Sequence, residues 1–279
     1  ANPGAVLGVE SSMRGARAVC RAVRIAVPDA PCILRVIPDE AAGNDGAQYR
    51  DDEDPETVAT RWDGYIAANW DPAAYHAASG ICERTPAPDD VAGWELRFEI
   101  ERRLGAKLAA RGIPYVWLSG NTGCLEPGLV AKAADLFATY PTSYHAYLGP
   151  GKTEIDADTA FHAFRPLAVW LPALAAAGGR MRGLVATEIG TYYPFRTLGM
   201  DAAAHARLCQ EINAALAGRC VVAGVPYHGA CVYGIGLQGG ESQWEMRDAG
   251  PDLRGFGGSA APLPGIAVMG EPPLPAPIE

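Results

Sequence analysis

The chain has 279 residues, of which 49% are hydrophobic and 20% charged. That is enough apolar material to bury a sizeable core, and it excludes a largely disordered chain. A formal net charge of −9 without any extended run of Lys or Arg argues against nucleic acid and anionic membrane surfaces as partners. In chain order, Gly and Pro punctuation separates short apolar runs from helical stretches, the alternation expected of βα units around a parallel sheet. Strands are predicted at 5–9, 33–37, 77–82, 115–119, 142–147, 184–189 and 229–234. Helices are predicted at 14–26, 55–68, 91–111, 127–139, 157–177 and 201–217. The spacing of Trp94, Phe98, Ile100, Leu104 and Leu108 shows the helical period most clearly.

These elements and the length, near the ~250 residues of one eight-stranded α/β barrel, predict a single (β/α)8 TIM-type barrel over 1–248, irregular or incomplete towards its amino terminus. Seven strands are counted. The eighth is sought in Cys220 to Val225, in the polar stretch Asn44 to Glu56, or ahead of Ala1. Residues 249–279 are rich in Pro and Gly and read as a tail or linker, a route into a larger assembly. No apolar run reaches the ~20 residues of a membrane span. The start Ala-Asn-Pro-Gly lacks Met and reads as a processed or fragment end, which leaves localisation open between secreted and cytoplasmic. Seven cysteines without a CxxC pair are expected to be reduced, mostly buried thiols, and neither a metal nor an organic cofactor is called for.

Glu188 closes the run Leu184-Val185-Ala186-Thr187-Glu188-Ile189-Gly190, a strand expected to be buried on both faces, where a carboxylate needs a purpose. Glu83 closes the earlier run that ends Ile81-Cys82-Glu83-Arg84-Thr85-Pro86. In a barrel, chemistry gathers where strands end. The strand ends here supply Arg35 and Asp39, Glu83, Asn121, His145 and Tyr147, Glu188, and Tyr233. Two strand-end carboxyl groups suit glycosidic chemistry, in which one acid protonates the departing oxygen while the other attacks the anomeric carbon or activates water.

The motifs resemble those of the clan A superfamily of retaining glycoside hydrolases. Ala186-Thr187-Glu188-Ile189-Gly190 is similar to that superfamily's strand-seven motif. Ser143-Tyr144-His145-Ala146-Tyr147 is similar to its strand-six motif, and Ile81 to Pro86 resembles its strand-four Asn-Glu-Pro motif. The resemblance spans about Ile33 to Asp248. It implies a carbohydrate substrate, Glu188 as nucleophile and Glu83 as acid/base about 5 Å away, with His145 and Tyr147 shaping the pocket. Arg35 would then donate a charge-assisted hydrogen bond that keeps Glu188 ionised. Trp117, Tyr192, Tyr193, Tyr233 and Trp244 are candidates to stack on sugar rings. Cys82 stands where the pattern has Asn, a departure that favours the alternative of an inactive, carbohydrate-binding or structural barrel. A cell-wall lysin would share the machinery.

Plainer readings stand beside these. Glu188 and Arg35 form a purely structural pair, and Glu83 a surface pair with Arg84. Glu126 before Pro127 reads as a helix start or as a substitute second carboxylate. His162 and His205 are expected to face solvent on helices, while His76 and His228 belong to the amino-terminal face of the barrel. The charges Glu95, Arg97, Glu99, Glu101, Arg102 and Arg103 are expected on an exposed helix side. A Cys82 nucleophile lacks a flanking signature, and the glycines from Gly234 to Gly240 form a loop rather than a phosphate cradle.

Overall fold

The computed structural model describes residues 7–10, 16–26, 32–36, 48–81, 84–120 and 124–232. Seven parallel strands form one sheet in sequence order: β1 (Leu7–Glu10), β2 (Cys32–Arg35), β3 (Ala77–Ser79), β4 (Tyr115–Gly120), β5 (Thr142–Tyr147), β6 (Leu184–Gly190) and β7 (Tyr227–Val232). The two outermost strands, β1 and β7, approach each other, so the sheet curls into a barrel. Helices follow the strands: α1 (Ala16–Ala26), α2 (Pro55–Asn69), α3 (Val91–Ala110), α4 (Pro127–Val130), α5 (Ala134–Thr139), α6 (Leu171–Ala176) and α7 (Ala202–Ala223). Short chemistry sets their starts. Asp54 accepts from the Thr57 N–H ahead of Pro55, Asp90 from that of Gly93, and Asp201 from that of Ala204.

Side chains divide into two layers because successive strand residues point to opposite faces. Ile33, Ala77, Val116 and Val185, one each from β2, β3, β4 and β6, form their own cluster inside the curl. The larger core lies between sheet and helices, where Trp117 sits edge-on to Phe137 at 4.7 Å and Tyr144 edge-on to Trp170 at 5.0 Å. Trp117 is fully buried there and donates its indole N–H to Thr142 Oγ1, so it is a core residue and not a sugar platform.

Other expectations need correction. Cys220 to Val225 is not the eighth strand: it ends α7, which stops at Gly224 in the left-handed conformation. The described part of the Asn44 to Glu56 stretch, from Gln48 onward, is turn and helix start. The last strand begins at Tyr227, so His228 lies within it. The helix expected at 157–177 is broken into a 3-10 turn (Ala157–Phe161), a π-helical turn (Pro166–Trp170) and α6, with Pro166 and Pro172 each removing a helical N–H. His205 is buried, stacked on Phe195 at 4.5 Å, and accepts from the Thr191 N–H. Burial lowers its pKa to about 4. Arg97 and Glu101 are buried as well.

Cys124, Cys209 and Cys220 are buried free thiols, and Cys20 and Cys32 are buried as well. Among the described residues no helix is long and apolar enough to cross a membrane.

Candidate active site

Glu188 lies on β6, every residue of which is buried. The register explains its aim. Tyr144 pairs with Ala186 but His145 pairs with Glu188, so β6 carries one extra residue, Thr187, at this point. Such a bulge bends the strand and re-aims the side chains after it. Just below, Ser143 and Thr187 share a hydrogen bond of 2.8 Å, which ties β5 to β6 at the irregularity.

Three side chains meet the Glu188 carboxyl. The Arg35 guanidinium, from the end of β2, donates to Oε1, and the Tyr147 hydroxyl, from the end of β5, donates to Oε2. His145 Nε2 lies 3.6 Å from Oε1, close but beyond hydrogen-bond reach, and its ring is edge-on to Tyr147 at 6.2 Å. Both side chains of the ion pair are nearly buried, at 11% and 7% exposed. Each donor places a positive or polar hydrogen on one carboxylate oxygen, so both oxygens are held oriented. An oriented carboxylate at the carboxyl end of a barrel strand can attack an electrophilic carbon or accept a proton.

Gly190 follows on the same strand with φ of +141°, and a Cβ there would come within 2.4 Å of His205 Nε2. The glycine therefore lets the chain turn sharply over His205 into the next loop. That loop presents Tyr192 and Tyr193, about half exposed and edge-on to each other at 5.3 Å. Ser79 sits beside Arg35 in the sheet register, and the hydroxyls of Ser79 and Ser119 are buried without a hydrogen-bond partner among the described residues.

The structure thus brings Arg35, His145, Tyr147 and Glu188 together and sets Tyr192 on the loop beyond them. Cys82, Glu83, Asp39, Asn121, Tyr233 and Trp244 lie outside the described residues. Arg84, offered as a surface partner for Glu83, pairs with Asp51 at 2.5 Å and lies over the Tyr49 ring. Glu126 pairs with Arg165 at 2.8 Å, and Arg165 also holds the Cys124 carbonyl. Sequence reasoning missed the Ser143 to Thr187 link, for which only the polar pair in otherwise apolar strands is a signal. It also missed the buried role of Arg97 and Glu101.

No family model matches the sequence, and no curated protein matches it. Solved structures do match in fold. A family 5 glycoside hydrolase from Prevotella bryantii, solved in complex with a xyloglucan tetradecasaccharide, aligns with a TM-score of 0.50 at 14% identity, over 91% of this chain and 83% of that one. A family 5 xyloglucan-specific endo-beta-1,4-glucanase from a metagenomic library, in complex with cellotriose, aligns at 0.48 and 14% identity over 85% and 74%. A family 5 xyloglucanase from Paenibacillus pabuli aligns at 0.46 and 9% identity over 85% and 80%. At such identities the first of these shows a shared fold alone, a (β/α)8-type barrel.

Proposed function

We propose that the protein is a retaining glycoside hydrolase in which Glu188 is the nucleophile and Glu83 the acid/base. The reading rests most on one observation: a buried carboxylate at the end of a barrel strand, held at both oxygens by Arg35 and Tyr147. In the first step a Glu188 oxygen attacks the anomeric carbon while the Glu83 carboxylic acid protonates the departing glycosidic oxygen, giving a glycosyl ester of Glu188. In the second, Glu83 takes a proton from water as the water oxygen attacks the same carbon, releasing the sugar with retained configuration and regenerating the Glu188 carboxylate. Arg35 and Tyr147 would keep the attacking carboxylate ionised and aligned, and His145 would wall the pocket at its side. The reading requires no cofactor.

Tyr192 and Tyr193 would offer apolar ring faces to a bound chain. The xyloglucan complex of the Prevotella bryantii enzyme makes xyloglucan and its oligosaccharides the first substrates to try. Cys82, standing where the resembled motif has Asn, favours a second reading, a barrel that binds carbohydrate without turning it over. The two separate in one assay. Wild type and Glu188→Gln are incubated with xyloglucan, other glycan polymers and a panel of aryl glycosides, and product configuration is followed. Turnover with retention, lost in the variant, supports the hydrolase; glycan binding without turnover supports the second reading.

A further inference from the structure

Helix α3 carries two charged residues on its buried face, Arg97 and Glu101, 2% and 0% exposed. Arg97 Nε donates to Glu101 Oε1 at 2.7 Å, and Glu101 Oε2 accepts from the Tyr115 hydroxyl. Arg97 Nη2 also lies 2.7 Å from Glu101 Oε1, but the guanidinium does more than hold this pair. It donates to three carbonyls that lie on the opening of the barrel: Ile81 at 2.7 Å, Arg84 at 2.8 Å and Leu118 at 2.5 Å. The β3 ladder has ended at Ser79, so the carbonyls of Ile81 and Arg84 are beyond sheet pairing and need donors from elsewhere. Leu118 and Ser119 both have positive φ, 79° and 43°, where the register of β4 slips. Two successive non-glycine residues in that region persist only where surroundings hold them.

Gly80 completes the arrangement. A Cβ at this position would come within 2.2 Å of the Tyr115 hydroxyl, so the glycine is what allows Tyr115 to pass β3 and reach Glu101. We propose that Arg97 is a positioning residue for the acid/base half of the site: one guanidinium, locked by Glu101 and Tyr115, holds the carbonyls of Ile81 and Arg84, which flank Cys82 and Glu83 in the chain, together with the left-handed end of β4. This rests on reading Glu83 as the acid/base. Only arginine suits the task, because a planar fork with five N–H donors reaches separate carbonyls that a point-charge ammonium cannot span.

Arg97→Lys tests this in two arms. In the first, hydrogen exchange over 78–86 and 116–120 is expected to accelerate by about tenfold or more while β5 and β6 stay protected. In the second, turnover of phenyl and dinitrophenyl β-cellobiosides is compared. A phenolate leaving group needs protonation and a dinitrophenolate does not, so misplacing the acid should lower kcat/KM, which reports the first step alone, about tenfold or more for the former and less than about threefold for the latter. Unchanged exchange, or equal losses on both substrates, would overturn the proposal. If wild type hydrolyses neither glycoside, the hydrolase reading has failed, and the exchange arm still decides whether Arg97 holds the two strand ends. Should Arg97→Lys fail to fold, Glu101→Gln, which loosens the same guanidinium, is expected to give the same pattern more weakly. Glu99→Gln, on the exposed side of the helix beside Arg103, should change neither readout.

Discussion

The two halves of the barrel opening are organised by different means. On the β5 and β6 side, the strands themselves do the positioning. A one-residue irregularity in β6 turns Glu188 towards Arg35 and Tyr147, which are strand-end residues of the same sheet. On the β3 and β4 side, β3 has ended and β4 slips its register, and a side chain from the helix behind them, Arg97, holds the carbonyls of Ile81, Arg84 and Leu118. The first half is as rigid as its hydrogen-bonded strands. The second depends on a buried ion pair, whose removal by halves is costly. Arg35 and Glu188 are a nearly buried ion pair too, so damage to either half should cost stability, with the heavier loss of chemistry expected in the first half, which carries the proposed nucleophile.

The largest effect is expected in the first half. Under the hydrolase reading, Glu188→Gln should lower turnover by about 10⁴-fold while costing no more than about 3 kcal/mol of stability, the loss set by the Arg35 guanidinium left beside an uncharged amide. A melting temperature that collapsed instead would mean that the carboxylate is chiefly structural. In the second half, Arg97→Met should destabilise by about 3–5 kcal/mol in urea denaturation, because Glu101 is left charged and unpaired in the core. Adding Glu101→Met should restore only the part due to the stranded carboxylate, because the carbonyls of Ile81, Arg84 and Leu118 still lose their donor.

Arg35→Met strands Glu188 in the same way and should cost about 3 kcal/mol, relieved when Glu188→Gln is added. A double-mutant cycle without coupling would show that the pair contributes nothing, contrary to the geometry. The loop beyond Glu188 depends on pH through His205. The folded imidazole titrates at about 4 and the unfolded one near 6.5, so the unfolded chain binds the extra proton in between. Stability that is intact above about pH 6.5 should fall by about 3 kcal/mol as pH drops through the folded value, and His205→Leu should flatten that slope. The smallest effect concerns the exposed ring of Tyr192. Tyr192→Ala should leave stability within about 0.5 kcal/mol of wild type and, if the loop binds glycan, raise KM for the polymer.

The same contrast explains what could be read in advance. The parallel order of the strands and the position of β5 were legible because β-branched and aromatic runs are bounded by Gly and Pro. Glu188 stood out because a lone carboxylate in an apolar strand has no surface explanation. Arg97 and Glu101 were misread because charges four residues apart are the usual mark of a solvated helix face. Their spacing held the correction. Trp94, Arg97, Glu101, Leu104 and Leu108 recur at three and four residues, so the two charges fall on the buried stripe. His205 was misread although it lies on the one buried stripe of α7, with Ala202, Cys209, Ile212, Leu216 and Cys220, because the opposite side mixes Arg207 and Glu211 with Ala214 and Gly218 and contrasts weakly with it. The breaks in the helix expected at 157–177 were signalled by Pro166 and Pro172, which the apolar periodicity outweighed.

The hydrolase reading stands or falls most directly on Glu188. Incubating the protein with an activated fluorosugar, a dinitrophenyl glycoside whose second step is slowed, and mapping the adduct by peptide mass spectrometry should find the sugar esterified to Glu188, with none on the Tyr147→Phe or wild-type protein at any other carboxylate. A sugar attached elsewhere, or no adduct while the glycoside is still hydrolysed with inversion, would contradict it.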